Sequence, residues 1–124
     1  MTEPETFLAD TYAFIEIIRG NNNYQPYIVA NLVTTKFNLI ELYYYFLLNY
    51  SENIADAHLD ELSKNVAVIS KNSIRYGMKF KLMHKKEKLS YVDCIGYAMA
   101  AELGIKFLTG DQKFERKANV EFVK

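Results

Sequence analysis

Asp93 and Asp111 lie in one continuous stretch, L-S-Y-V-D-C-I-G-Y-A-M-A-A-E-L-G-I-K-F-L-T-G-D-Q-K-F at residues 89–114. Carboxylates gathered at one rim can hold a hard divalent cation through oxygen or move a proton as a base. A third acid, Glu41, is the only charge in F-N-L-I-E-L-Y-Y-Y-F-L-L at residues 37–48, which is apolar or aromatic almost all the way round. That composition predicts a helix largely surrounded by protein. An unpaired carboxylate there must find a partner, a cation or a proton, and no basic residue lies one turn away. The competing reading is a capping box, with Asn38 at the cap and Glu41 at its third position. Asp10 follows a short apolar run at Thr6–Ala9 and precedes the periodic Tyr12, Ile15 and Ile18. It is eligible as a helix N-cap, a role compatible with chemistry because capping uses one oxygen.

The surrounding elements would place these acids together. Ser90 precedes Asp93 by the spacing of a helix start, and Gly104 can take the left-handed conformation that ends a helix, so the sequence predicts a helix over Tyr91–Leu103. Small residues at Gly96, Ala98, Ala100 and Ala101 let that helix approach a sheet closely. Ile105, Phe107 and Leu108 follow as a strand of the kind buried in a parallel sheet, and Asp111 comes directly after it behind Gly110. Ligands of open α/β sheets bind at the carboxyl ends of the strands, so Asp111 belongs to that rim, and Asp93 can face it.

The stretch from L-S-Y-V-D-C-I-G-Y-A-M-A through I-K-F-L-T-G-D resembles the C-terminal half of PIN domains, the nuclease family that includes the VapC-type toxins of toxin–antitoxin pairs. The family's two other acids have counterparts, Asp10 in L-A-D-T-Y and Glu41 in T-T-K-F-N-L-I-E-L-Y, and the resemblance spans essentially all 124 residues. It implies a single domain over residues 1–124. The implied fold is a three-layer α/β/α sandwich with a mostly parallel sheet of about five strands. Asp10, Glu41, Asp93 and Asp111 would then form a site for magnesium or manganese, since four clustered carboxylates repel one another until a cation neutralises them. The implied activity is hydrolysis of RNA phosphodiester bonds. Thr11 and Thr109 would orient a water or a phosphate. A VapC-type protein would also form a homodimer and be blocked by a small antitoxin. The alternative is a PIN-like module that binds RNA or protein without cutting. A phospho-accepting receiver domain needs paired acids after the first strand, where this chain has Asp10 alone.

The rest of the chain fits one α/β domain. Half of it is apolar, with ten Tyr and eight Phe, which excludes a disordered chain. One cysteine, Cys94, allows no internal disulfide, and with only His58 and His84 beside it a structural zinc site has no ligands. Both histidines read as ordinary surface residues. The absence of a long apolar run and the polar start M-T-E-P-E lead to the expectation of a cytoplasmic protein without a membrane span. Net charge is zero, so no global field attracts nucleic acid. Lys79, Lys81, Lys85, Lys86 and Lys88 nevertheless cluster ahead of Ser90, either as a solvated helix face or as a contact for RNA phosphates. Helices are expected over residues 51–63 and 71–88, and strands at 32–34, 65–70 and 120–123. Residues 24–31 read as a short helix or a loop, and 112–119 as a polar connection.

Overall fold

Every α-helix begins where the sequence supplies a side-chain acceptor for an early backbone N–H. The computed structural model, which describes residues 3–124, runs β1 (Thr6–Ala9), α1 (Thr11–Ile18), β2 (Asn31–Val33), α2 (Lys36–Asn49), α3 (Glu52–Leu62), α4 (Lys71–Met83), α5 (Tyr91–Leu103), β3 (Lys106–Thr109) and β4 (Val120–Phe122). Asp10, Thr35, Ser51, Ser70 and Ser90 accept from Ala13, Asn38, Ile54, Ser73 and Asp93 respectively, each three residues into its helix. Gly104, at φ 73°, closes α5 in the left-handed conformation, where any side chain would be strained. Residues 22–27 form a 3-10 turn. A second such turn at residues 85–87 separates α4 from α5.

The four strands pair in the order β2-β1-β3-β4, all parallel. One core packs Phe7, Ala9 and Leu108 against α1, α2 and α3 through Phe14, Leu42, Phe46 and Ala55. The other packs Leu8 and Phe107 against α5 and its neighbours through Ile95, Met99 and Phe114. Alternate residues of the same strands thus face opposite layers, as a three-layer sandwich requires. Gly96 faces the sheet, where a Cβ would come within 3.1 Å of the Phe107 ring, and Gly77 lets α4 cross α5 against the Cys94 carbonyl. Ala101, grouped with these small residues in the sequence, is exposed.

Two expectations are corrected. The sheet has four strands rather than about five, because residues 65–70 meet β2's end only through a Thr34–Val66 bridge. Thr34 exchanges hydrogen bonds with Asn65 and Ala67, and Val68 is then 90% exposed, with no face to bury before Ser70 starts α4. Nor is α2 surrounded by protein. Leu39, Leu42 and Phe46 are buried, but Phe37, Ile40, Tyr44, Leu47 and Leu48 are exposed. Both histidines are half-buried: His58 stacks on Phe46 at 4.4 Å, and His84 bonds the Phe80 carbonyl. Among the described residues no helix is long and apolar enough to cross a membrane.

Candidate active site

Strand order places the site. The chain passes from β1 to β2 on one side and then crosses back to β3 on the other, so the order reverses at β1 and a crevice opens beyond the carboxyl ends of β1 and β3. Asp10 stands at the end of β1, with its amide still bonded to Leu108 of β3 at 3.0 Å. Gly110 and Asp111 follow β3. The start of α5 brings Asp93, and the second turn of α2 brings Glu41. All four line a cleft of about 680 Å³, together with Thr11, Tyr12, Tyr44, Tyr45, Ser90 and Lys124.

Hydroxyl groups hold the acids in place. Thr109 Oγ1 donates to Asp10 Oδ2 and accepts from the Asp111 amide at 3.0 Å, so one side chain ties the tips of two strands together. The other Asp10 oxygen, Oδ1, accepts from the Ala13 amide at 2.8 Å as the cap of α1. Thr11 Oγ1 donates to Glu41 Oε1 at 2.6 Å and accepts from Asn38 Nδ2 at 3.0 Å. The two threonines expected to orient a water or a phosphate are thus engaged with the carboxylates themselves. Asn38 is buried and fixed in turn by Thr35, which donates to its Oδ1 at 2.6 Å. The cap of α2 is therefore Thr35, not Asn38, and Glu41 lies beyond the capping position with its charge facing the cleft. The relay Thr35–Asn38–Thr11–Glu41 went unread in the sequence, although the T-T-K-F-N run carries the cap signal that would have found it.

The electrostatics are those of crowded acids. Burial pushes the Asp10 carboxyl up to about 7; the bonds from Thr109 and Ala13 oppose that rise, and the charges of Asp93 and Asp111 add to it. Burial likewise raises Asp93 to about 6, eased by Ser90 and Lys113 and worsened by Asp111 and Glu41. Lys113 follows Asp111 in the 3-10 turn Gln112–Phe114, where its own amide bonds Asp111 Oδ1 at 3.0 Å. Lys124 lines the cleft with its ammonium 5.8 Å from the Tyr12 ring centroid. These two cations are remote in sequence from the lysine cluster, which is why that cluster did not reveal them. None of Lys79, Lys81, Lys85, Lys86 and Lys88 lines the cleft. Lys81 bonds the Leu89 carbonyl and lies over the Tyr91 ring.

Among the described residues no three His, Cys, Asp or Glu side chains converge tightly enough to cage a metal by themselves. The donor set suits a magnesium-like ion all the same, because such an ion keeps much of its water and takes one or two carboxylates directly. Two acids pushed up by burial and mutual repulsion are the groups that a divalent charge would relieve.

Gly110 is confined by the cleft wall. A Cβ there would lie 2.1 Å from a Tyr12 ring carbon and 2.6 Å from the Val123 carbonyl oxygen. Tyr12 can swing aside, but the Val123 carbonyl is backbone: its oxygen accepts from the Tyr24 hydroxyl, and the Val123 amide donates to the Thr109 carbonyl of β3 at 2.9 Å. We therefore expect Gly110→Ala to lower stability by about 1–3 kcal/mol in urea unfolding and to displace Asp111 from the rim.

A family model described as PIN domain matches residues 7–120. Among solved structures, the chain is similar to a toxin–antitoxin complex from Klebsiella pneumoniae, with a TM-score of 0.74 and 18% identity over 93% of this chain and 95% of that one. It is also similar to VapBC-1 from nontypeable Haemophilus influenzae, at a TM-score of 0.72 and 15% identity over 94% and 96% of the two chains. A third likeness is to VapBC2 from Rickettsia felis bound to a DNA fragment from their promoter, at 0.73 and 13% identity over 94% and 96%. No curated protein sequence matches the chain.

Proposed function

The chain belongs to the PIN domain family, and on that premise we propose that it is a divalent-metal-dependent ribonuclease that hydrolyses RNA phosphodiester bonds at the cleft of Asp10, Glu41, Asp93 and Asp111. The observation that carries this reading is the meeting of four acids from four separate elements in one cleft. When bound, a magnesium or manganese ion supplies the charge that neutralises them, polarises a phosphoryl oxygen and lowers the pKa of water. The chain's own residues set the geometry. Thr109 fixes Asp10 against Asp111, the Asn38–Thr11 pair fixes Glu41, and the start of α5 presents Asp93. Lys124, which lines the cleft, offers an ammonium group to a phosphate beside the bond to be cut. The lysines of α4 and the turn after it extend a basic approach toward Ser90.

The likeness to toxin–antitoxin structures supports a toxin role with a protein antitoxin as partner, and the exposed apolar residues of α2 suit a homodimer or antitoxin interface. The lack of a tight three-acid cluster among the described residues favours the other reading, a PIN-like module that binds RNA or protein without cutting. Magnesium titration separates the two. We expect purified protein to cut single-stranded RNA when magnesium or manganese is added and to stop when EDTA is added. RNA left intact across the millimolar magnesium range, with the protein folded, would favour the binding module.

A further inference from the structure

We propose that Tyr44 is a positioning residue for the substrate, its ring the stacking surface for an unpaired base next to the scissile phosphate. The identity of the substrate rests on the nuclease reading above; the ring's availability does not. Of the three consecutive tyrosines on α2, two are occupied. The Tyr43 hydroxyl donates to Asp56 of α3 at 2.7 Å. The Tyr45 ring packs against Phe46 and Tyr50, with centroids 5.6 and 6.3 Å away. Tyr12, across the cleft, pairs with Tyr24 and carries Lys124 over its ring. Tyr44 alone of these is 64% exposed, and among the described residues its ring pairs with no other aromatic and its hydroxyl bonds nothing.

Its position gives that free ring a use. Tyr44 lies three residues after Glu41, one helical turn along the same face, and it lines the cleft with the four acids. A phosphate held at the acids therefore has a bare aromatic face beside it, where the adjoining base would lie. Stacking of this kind needs a base whose face is free, which selects single-stranded or looped RNA over duplex. Ile40, Leu47 and Leu48 are also exposed on α2, but none lines the cleft. Of these exposed side chains, Tyr44 is the one beside the place where the base would lie.

The test uses full-length protein carrying Asp93→Asn, so that RNA stays uncut, and a short single-stranded RNA containing 2-aminopurine, whose fluorescence falls on stacking. We expect bound probe to be quenched. Tyr44→Ala should weaken binding by about tenfold or more and abolish the quenching, while Tyr44→Phe retains both. An abasic nucleotide in place of the 2-aminopurine should weaken the Tyr44 protein and leave Tyr44→Ala unchanged. Failure to bind, or quenching equal in Tyr44→Ala, overturns the assignment. So does unchanged RNA binding alongside loss of an oligomer by light scattering, which would give the ring to a protein interface. If quenching depends on Tyr44 while wild-type protein never cuts RNA with magnesium, the nuclease reading fails and the stacking subsite stands.

Discussion

Asp93→Asn is expected to reduce RNA cleavage on the order of a thousandfold while leaving the protein folded. The two effects separate because the cap of α5 uses the Asp93 backbone amide and not its charge. Ser90 is the cap of α5, and it accepts from the Asp93 backbone amide, a bond that asparagine keeps. The side chain itself sits in a field of like charge from Asp111 and Glu41, so removing its charge relieves repulsion in the metal-free protein. What the substitution takes away is negative charge directed into the cleft, which the proposed ion needs. The paired measurement is cleavage rate and thermal unfolding on the same preparation. Wild-type cleavage by folded Asp93→Asn protein would remove this residue from the site.

The second large effect is on stability and runs opposite to the usual carboxylate case. The Asp10 carboxyl is raised from 3.8 to about 7 in the folded protein. Its contribution is therefore fully present below pH 3.8. It is lost as pH rises toward 7, because there the unfolded chain has released the proton and the folded one still holds it. A shift of that size corresponds to roughly 4 kcal/mol, an upper bound for a site that relaxes or admits water. Asp93, raised to about 6, adds to the same decline over a lower window. Metal-free protein should accordingly melt at a lower temperature at pH 8 than at pH 5. Asp10→Asn should flatten that dependence: its one amide oxygen keeps the cap of α1, while its NH2 meets the Thr109 hydroxyl in place of an acceptor, so the overall melting point is set by that lost bond and the slope with pH is the diagnostic. Added magnesium should stabilise the wild type at pH 8 and leave Asp10→Asn nearly unmoved. Melting curves followed by circular dichroism at the two pH values, with and without magnesium, read all of this. A wild type that is equally stable at both would mean that Asp10 ionises without penalty.

How much of this was legible depends on whether the signal was local. The bounds of α5 follow from Ser90 and Gly104, because a cap and a left-handed glycine act on their own neighbours. The four acids could be picked out in order, yet their meeting depends on β3 lying beside β1, which no local pattern states. The apolar residues 65–70 carried the composition of a strand but not a second neighbour to pair with. On α2 the sequence showed an apolar helix, and hydrophobicity is the same whether the face is covered by its own chain or left outside. The basic groups show the same limit: Lys124 lines the cleft from a segment far along the chain from Lys79, Lys81, Lys85, Lys86 and Lys88, none of which lines it.

The pairing of Phe7 in β1 with Lys106 in β3 also bears on when the cleft comes into being. Nearly the whole domain must leave the ribosome before β3 can slide in beside β1, and contacts between such distant segments form late. Until then Asp10 has no Thr109 to hold it and no Asp111 opposite. The four-acid cleft is thus not assembled on the nascent chain until translation has passed Asp111, and under the proposed nuclease function the ribosome that makes the protein would not meet a finished site.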